Sequence, residues 1–147
     1  MALVISERDV EGIEVLDFHG RLTFGDEDLQ FRNEIGKLLQ RGKTRLALNL
    51  ERVSDIDTTG LGTLLFLLIK LRKVGGRLAL FNLNPKHLEL LVMMKLQAIV
   101  EVFADEQDAI DSFFPDRQVK HFDIVKFVET MQRSAGRDHK ESASMHS

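Results

Sequence analysis

The 147-residue sequence has no cysteine, no tryptophan and no tyrosine, and only two prolines. Without cysteine there can be no disulfide framework and no thiolate metal site, and a cytoplasmic setting is the expectation. Positive charge is not in excess either. Twenty Lys and Arg against 23 Asp and Glu leave a formal net charge of −3, which argues against broad nucleic-acid binding. The most apolar run, Leu61 to Leu71, is too short to span a bilayer and is broken by Lys70, so no membrane insertion is expected. The start, Met1 to Arg8, lacks the basic region and long apolar core of a signal peptide. His19, His87, His121, His139 and His146 are scattered without metal-ligand spacing. No nucleophile–base arrangement is legible, so an enzyme is not expected, and nothing asks for a cofactor or a metal.

What is present suits one globular domain: hydrophobic residues make up 44% of the chain, enough for a real core. Val4 to Val10 reads as a first strand, Glu11-Gly12 as a turn and Ile13 to Phe18 as a second strand with Ile13, Val15 and Leu16 inward. Asp26-Glu27-Asp28 supplies a cap and acidic first turn for a helix whose stripe is Leu29, Ile35, Leu38 and Leu39, ended by Gly42. Alternating leucines mark a strand over Arg45 to Leu50, and a leucine-rich helix runs from Leu61 to Val74, stopped by Gly75-Gly76.

Arg77 to Leu83 is the next strand. Pro85 opens a helix with a stripe of Leu88, Leu91, Val92 and Leu96, and Val100 to Phe103 is a short edge strand. Asp105 to Phe114 is a further helix with Ala109, Ile110 and Phe113 on one face. The reading is an α/β domain over 1–114, a mixed β-sheet of about four to five strands with helices packed on it. Residues 115–133 form a C-terminal extension with a helix from Val119 to Arg133, and 134–147 read as a disordered polar tail.

Between the leucine strand and the leucine helix lies Val53-Ser54-Asp55-Ile56-Asp57-Thr58-Thr59-Gly60-Leu61-Gly62. It is a strand-to-helix turn carrying two aspartates, two hydroxyls and two glycines. Asp57 fits the N-cap, which places Thr58 and Thr59 in the first turn, where a helix best tolerates an anion. Asp55 and Asp57 read as a cap and a solvated acid, not as a metal or acid–base pair. A receiver domain would need an acidic pair after its first strand and a lysine after its last, and neither is legible. Gly60-Leu61-Gly62 lacks the spacing of a phosphate-binding loop; the glycines let something approach closely, either another chain or the neighbouring strand.

The segment Asp57-Thr58-Thr59-Gly60-Leu61-Gly62 resembles the Asp-Ser-Ser/Thr-Gly-Leu-Gly signature of STAS domains, the anti-sigma factor antagonists. The resemblance runs from about Leu3 to Phe114 and includes a Gly20-Arg21-Leu22-Thr23 turn, the Leu48-Asn49-Leu50 strand and the Gly75-Gly76-Arg77-Leu78 turn. It implies phosphorylation of the second hydroxyl, Thr59, by a partner kinase; threonine here replaces the commoner serine. It also implies an anti-sigma factor with serine/threonine kinase activity as partner and a protein phosphatase that resets the switch. The alternative it leaves open is a non-enzymatic STAS subunit of a signalling scaffold or lipid-transport complex. Monomer and homodimer both stay open.

One further expectation needs no family. At 100° per residue, Leu61, Leu64, Leu67, Leu68, Leu71 and Val74 share the core side of the leucine helix. The opposite side reads Thr59, Gly62, Phe66, Ile69, Lys73, an apolar stripe headed by the candidate phosphate acceptor. The stripe makes Gly62, Phe66, Ile69 and Lys73 candidate partner-binding residues, unless the C-terminal extension covers them, and the signature that resembles the STAS family adds Asp57, Thr58 and Gly60.

Overall fold

The computed structural model describes the backbone over 2–145 and side-chain surroundings over 2–135. Strands β1 (Val4–Val10) and β2 (Ile13–Leu22) form an antiparallel hairpin. Its two-residue loop, Glu11-Gly12, has both φ angles positive, the geometry that matches the twist of paired strands. Strands β3 (Arg45–Ile56), β4 (Arg77–Phe81) and β5 (Glu101–Phe103) then add in parallel, giving the order β1-β2-β3-β4-β5. Helices α1 (Asp26–Gln40), α2 (Thr58–Lys73), α3 (Pro85–Met93) and α4 (Glu106–Asp111) follow β2, β3, β4 and β5, and α5 (Ile124–Met145) closes the chain.

Both faces of the sheet are buried, which is why β3 carries apolar residues without a gap at Leu46-Ala47-Leu48. Leu46, Leu48 and Leu50 face the larger layer, where Phe31, Ile35 and Leu38 of α1, the leucines of α2, and Leu88 and Leu91 of α3 pack. Ala47 and Ala79 face the smaller layer, with Ile13, Val15 and Phe81 against Ala109 and Ile110 of α4. Small alanines there let the short α4 sit close to the sheet. The mixed five-stranded sheet with helices on it is the α/β fold expected from the sequence.

Several local expectations need correction. Strand β2 continues past Phe18 to Leu22, so Gly20-Arg21-Leu22 belongs to a strand; its irregularity is a pair of register shifts against β3, with Gly20 at φ 133°. The N-cap of α1 is Gly25 with no side-chain cap, and the three acids occupy only the first turn. Leu29 is 61% exposed; the buried stripe is Phe31, Ile35 and Leu38, spaced i, i+4, i+7. Val74 lies beyond the last turn of α2 and is exposed, since helical periodicity no longer positions it.

Helix α5 starts at Ile124, not Val119, because the Asp123 side chain accepts the Lys126 N–H and sets the first turn. Its backbone is helical to Met145. The final two residues of the expected disordered tail, His146 and Ser147, lie outside the described residues. Ile124 and Val128 of α5 are buried, and the helix packs on α3.

Candidate functional site

Strand β3 ends at Ile56, and Asp57 then leaves extended geometry (φ −102°, ψ −177°) to start α2. Its Oδ1 accepts the Gly60 N–H at 2.9 Å, the expected N-cap. Its Oδ2 accepts the Phe24 N–H, also at 2.9 Å, a bond the sequence did not disclose. One carboxylate thus fastens the loop between β2 and α1 to the start of α2. Burial disfavours the charged form of Asp57, but the N–H groups of Phe24, Gly60 and Thr59 outweigh it and hold the carboxyl below the usual carboxylate range.

The two hydroxyls differ. Thr58 is exposed and Thr59 half-buried, one turn before Gly62. The two glycines differ more. A Cβ on Gly60 would lie 1.9 Å from the Leu22 carbonyl oxygen, so Gly60 is required by the neighbouring strand. A Cβ on Gly62 would meet nothing within 4 Å. Of the two explanations offered for these glycines, the neighbouring strand accounts for Gly60 and cannot account for Gly62.

Inward from the motif, Thr63 is fully buried and donates its hydroxyl to Asp28 Oδ1 of α1 at 2.5 Å, while Asp28 Oδ2 accepts from Arg32 Nε at 2.9 Å. This buried link pins α1 to α2. Asp55 pairs with Lys86 of α3 at 3.4 Å, away from Asp57. Among the described residues no group of three His, Asp or Glu side chains could hold a metal ion. His19 and His121 are on the surface; the side chains of His139 and His146 lie outside the described ones.

His87, unlike His19 and His121, is buried. It lies 2% exposed in the first turn of α3, and neither ring nitrogen has a hydrogen-bond partner among the described residues. Burial, assisted by Lys86, pushes its pKa down; the Ser54 backbone and Asp55 oppose the shift without cancelling it.

The outward side of α2 is uncovered. Phe66 is 42% and Ile69 54% exposed, and Gly62 and Lys73 are exposed with them. Helix α5 packs on α3, and Phe66 and Ile69 remain exposed. Helix α1 and the loop before it add to the exposed surface: Leu29 of α1 and Phe24 of the loop (80% exposed) are apolar and open, and Arg32 of α1 lies 5.6 Å above the Phe66 ring, with Lys70 at 5.3 Å from the same ring. Sequence periodicity along one helix had no means of finding the α1 contribution; the signal available was Leu29, an apolar residue out of phase with Phe31, Ile35 and Leu38.

Comparison with known proteins places this geometry. Two structures of SpoIIAA, the unphosphorylated anti-sigma factor antagonist and the phosphorylated Bacillus cell fate determinant, are 27% and 26% identical, with TM-scores of 0.58 and 0.59. They cover 76% and 75% of this chain and 99% of their own. An anti-sigma factor antagonist from Mycobacterium paratuberculosis has the same fold at 18% identity and TM-score 0.66, covering 75% of this chain and 92% of that one. The murine Solute Carrier 26 family member A9 anion transporter shares the fold at 21% identity and TM-score 0.60, over 70% of this chain but only 18% of its own length. No helix among the described residues is long and apolar enough to cross a membrane. The STAS domain model matches residues 5–109, from β1 into α4, and the chain belongs to the STAS domain family.

Proposed function

We propose that this chain is an anti-sigma factor antagonist whose binding to an anti-sigma factor with serine/threonine kinase activity is switched by phosphorylation of Thr59. Unphosphorylated, it binds the kinase and so frees a sigma factor; phosphorylated, it releases the kinase, and a phosphatase resets it. One observation carries the reading: Thr59 heads an uncovered row, Gly62-Phe66-Ile69-Lys73, on a helix whose opposite side is core. A phosphate adds about −1.5 to −2 charges at pH 7. At the start of α2 those charges lie at the positive end of the helix, where an anion is favoured. In a docked interface they would be desolvated beside Asp57, and affinity would fall about 5–150-fold for a coupling of about 1–3 kcal/mol.

The test is phosphosite mapping by mass spectrometry after reaction with candidate kinases from the same genome, with binding measured before and after. Phosphate on Thr59 and loss of binding support the proposal; phosphate on Thr58 alone overturns the site assignment. The second reading, a permanent STAS subunit of a scaffold or transport complex, takes its support from the fold appearing as 18% of a transporter chain. A purified complex that survives full phosphorylation favours that reading.

A further inference from the structure

Two glycines stand inside helices where nothing in the fold asks for them. Gly36 in α1 and Gly62 in α2 both point at open space, a Cβ on either meeting no atom within 4 Å. Glycine in a helix interior is destabilising relative to alanine, and no close approach within the chain accounts for either of these two. Gly36 lies seven residues after Leu29, on the same side of α1, and Gly62 lies four and seven residues before Phe66 and Ile69 on α2. The Asp28–Thr63 bond and the stacking of Arg32 on Phe66 bring these two rows together into one surface.

Its charge is one-sided. Helix α2 contains no Asp or Glu from Thr58 to Lys73, and Lys70, Arg72 and Lys73 crowd its last turn, although the whole chain carries −3. On the α1 side Arg32 is exposed; Asp28 is buried in its bonds to Thr63 and Arg32, and Glu27 is held by Arg21. Asp26, at the start of α1, is the exposed acid of that turn.

We propose that the α1–α2 face receives a short acidic amphipathic segment of a partner protein. Its apolar side chains lie on Leu29, Phe66 and Ile69, its backbone passes close over Gly36 and Gly62, and its carboxylates pair with Lys70 and Lys73, since Arg32 is already paired with Asp28. The proposal rests on the reading in which the outward side of α2 is the partner surface, and names the chemistry of what binds there. An anionic membrane would also meet apolar and basic side chains, but a lipid surface gains nothing from two glycine gaps, whereas a shaped segment gains close approach. A phosphate on Thr59 would then act by repelling the same carboxylates that the rim attracts.

The test uses the full chain, isotope-labelled, and a synthetic helix of roughly 16 residues, long enough to lie along α2. Leucines at every third or fourth position and glutamates elsewhere make the probe; the same peptide with lysines, and vesicles containing phosphatidylserine, are the controls. The glutamate peptide should shift the amide signals of Leu29, Gly36, Gly62, Phe66 and Ile69. Lys70→Glu with Lys73→Glu should weaken it about tenfold, and so should Gly62→Leu, with spectra outside α1 and α2 unchanged. Equal binding of the lysine peptide, shifts confined to other elements, or indifference to charge reversal would overturn the proposal, and vesicle binding without peptide binding would replace it by a membrane surface. If Gly62→Leu fails to fold, the charge-reversal pair decides. No kinase takes part, so failure here is separate from failure of the Thr59 switch.

Discussion

Gly60 and Gly62 are two residues apart in one helix, yet alanine at each should change stability in opposite directions. At Gly62 the added methyl enters open space, so only helix propensity acts. Glycine is about 0.8–1 kcal/mol less favourable than alanine in a helix interior. With an unfolding entropy of about 2.1 cal/mol/K per residue, 147 residues give roughly 0.3 kcal/mol/K, so Gly62→Ala should raise Tm by about 3 °C. At Gly60 the methyl would sit 1.9 Å from the Leu22 oxygen and 2.7 Å from its carbonyl carbon. That oxygen also accepts the Asp57 N–H, so β2 cannot yield without loosening the start of α2. Overpacking of this kind costs about 1–3 kcal/mol, occasionally more, which exceeds the propensity gain, and Gly60→Ala should lower Tm by several degrees. Thermal melts of the two variants by circular dichroism decide it. A Gly62→Ala protein less stable than wild type would refute the claim that its site is empty, and with it the argument for close approach.

Other perturbations bear on the motif and its surroundings. Asp57→Ala removes the cap and the tie to Phe24 together and should cost about 1–2 kcal/mol, read from chemical denaturation. Because the folded Asp57 carboxyl is held below its ordinary 3.8, its stabilisation is present above that pH and lost as pH falls through the lower folded value; a Tm–pH curve for Asp57→Asn should lose that acid limb. Burial likewise lowers His87 from 6.5, so the unfolded chain takes the proton first and stability should decline as pH falls below 6.5; His87→Phe should flatten that decline. Thr59→Glu should weaken kinase binding in calorimetry while Thr59→Ala keeps it, and Phe66→Ala should cost about 1–3 kcal/mol of binding if the ring is an anchor. Equal binding by Thr59→Glu and wild type, with Phe66→Ala impaired, would leave an interface without a switch.

The parts of this molecule that could be read from the chain are those fixed by local spacing. Alternation in Leu46-Ala47-Leu48 gave β3, a carboxylate followed three residues later by a glycine N–H gave the cap, and helical periodicity separated the buried leucines of α2 from Phe66 and Ile69. What stayed hidden depends on contacts between distant residues. The Phe24–Asp57 and Asp28–Thr63 bonds join positions 33 and 35 apart, and only through them does α1 border the stripe. Which side of the extension packs was not legible either; α5 lies on α3, with Ile124 and Val128 buried. Pairing with β3 carried β2 through Gly20, against the local preference of glycine for a turn.

The arrangement separates what keeps the domain folded from what a partner would touch. Gly60 and Thr63 are buried and Asp57 half-buried, and all three are committed within the domain: both carboxylate oxygens of Asp57 are bonded, Gly60 abuts Leu22, and the Thr63 hydroxyl is spent on Asp28. Gly62, Ile69 and Lys73, interleaved with them on the same helix, have no such obligations, and Phe66, beneath Arg32 and Lys70, is still 42% exposed. Thr59 sits at the boundary, half-buried, in the turn where an added anion strengthens a helix by about 0.3–1 kcal/mol. A negative charge placed there therefore cannot act by unfolding α2. Whatever it does to a partner must come from the outward surface itself, so Thr59→Glu should leave the melting temperature unchanged or slightly higher even where it abolishes binding.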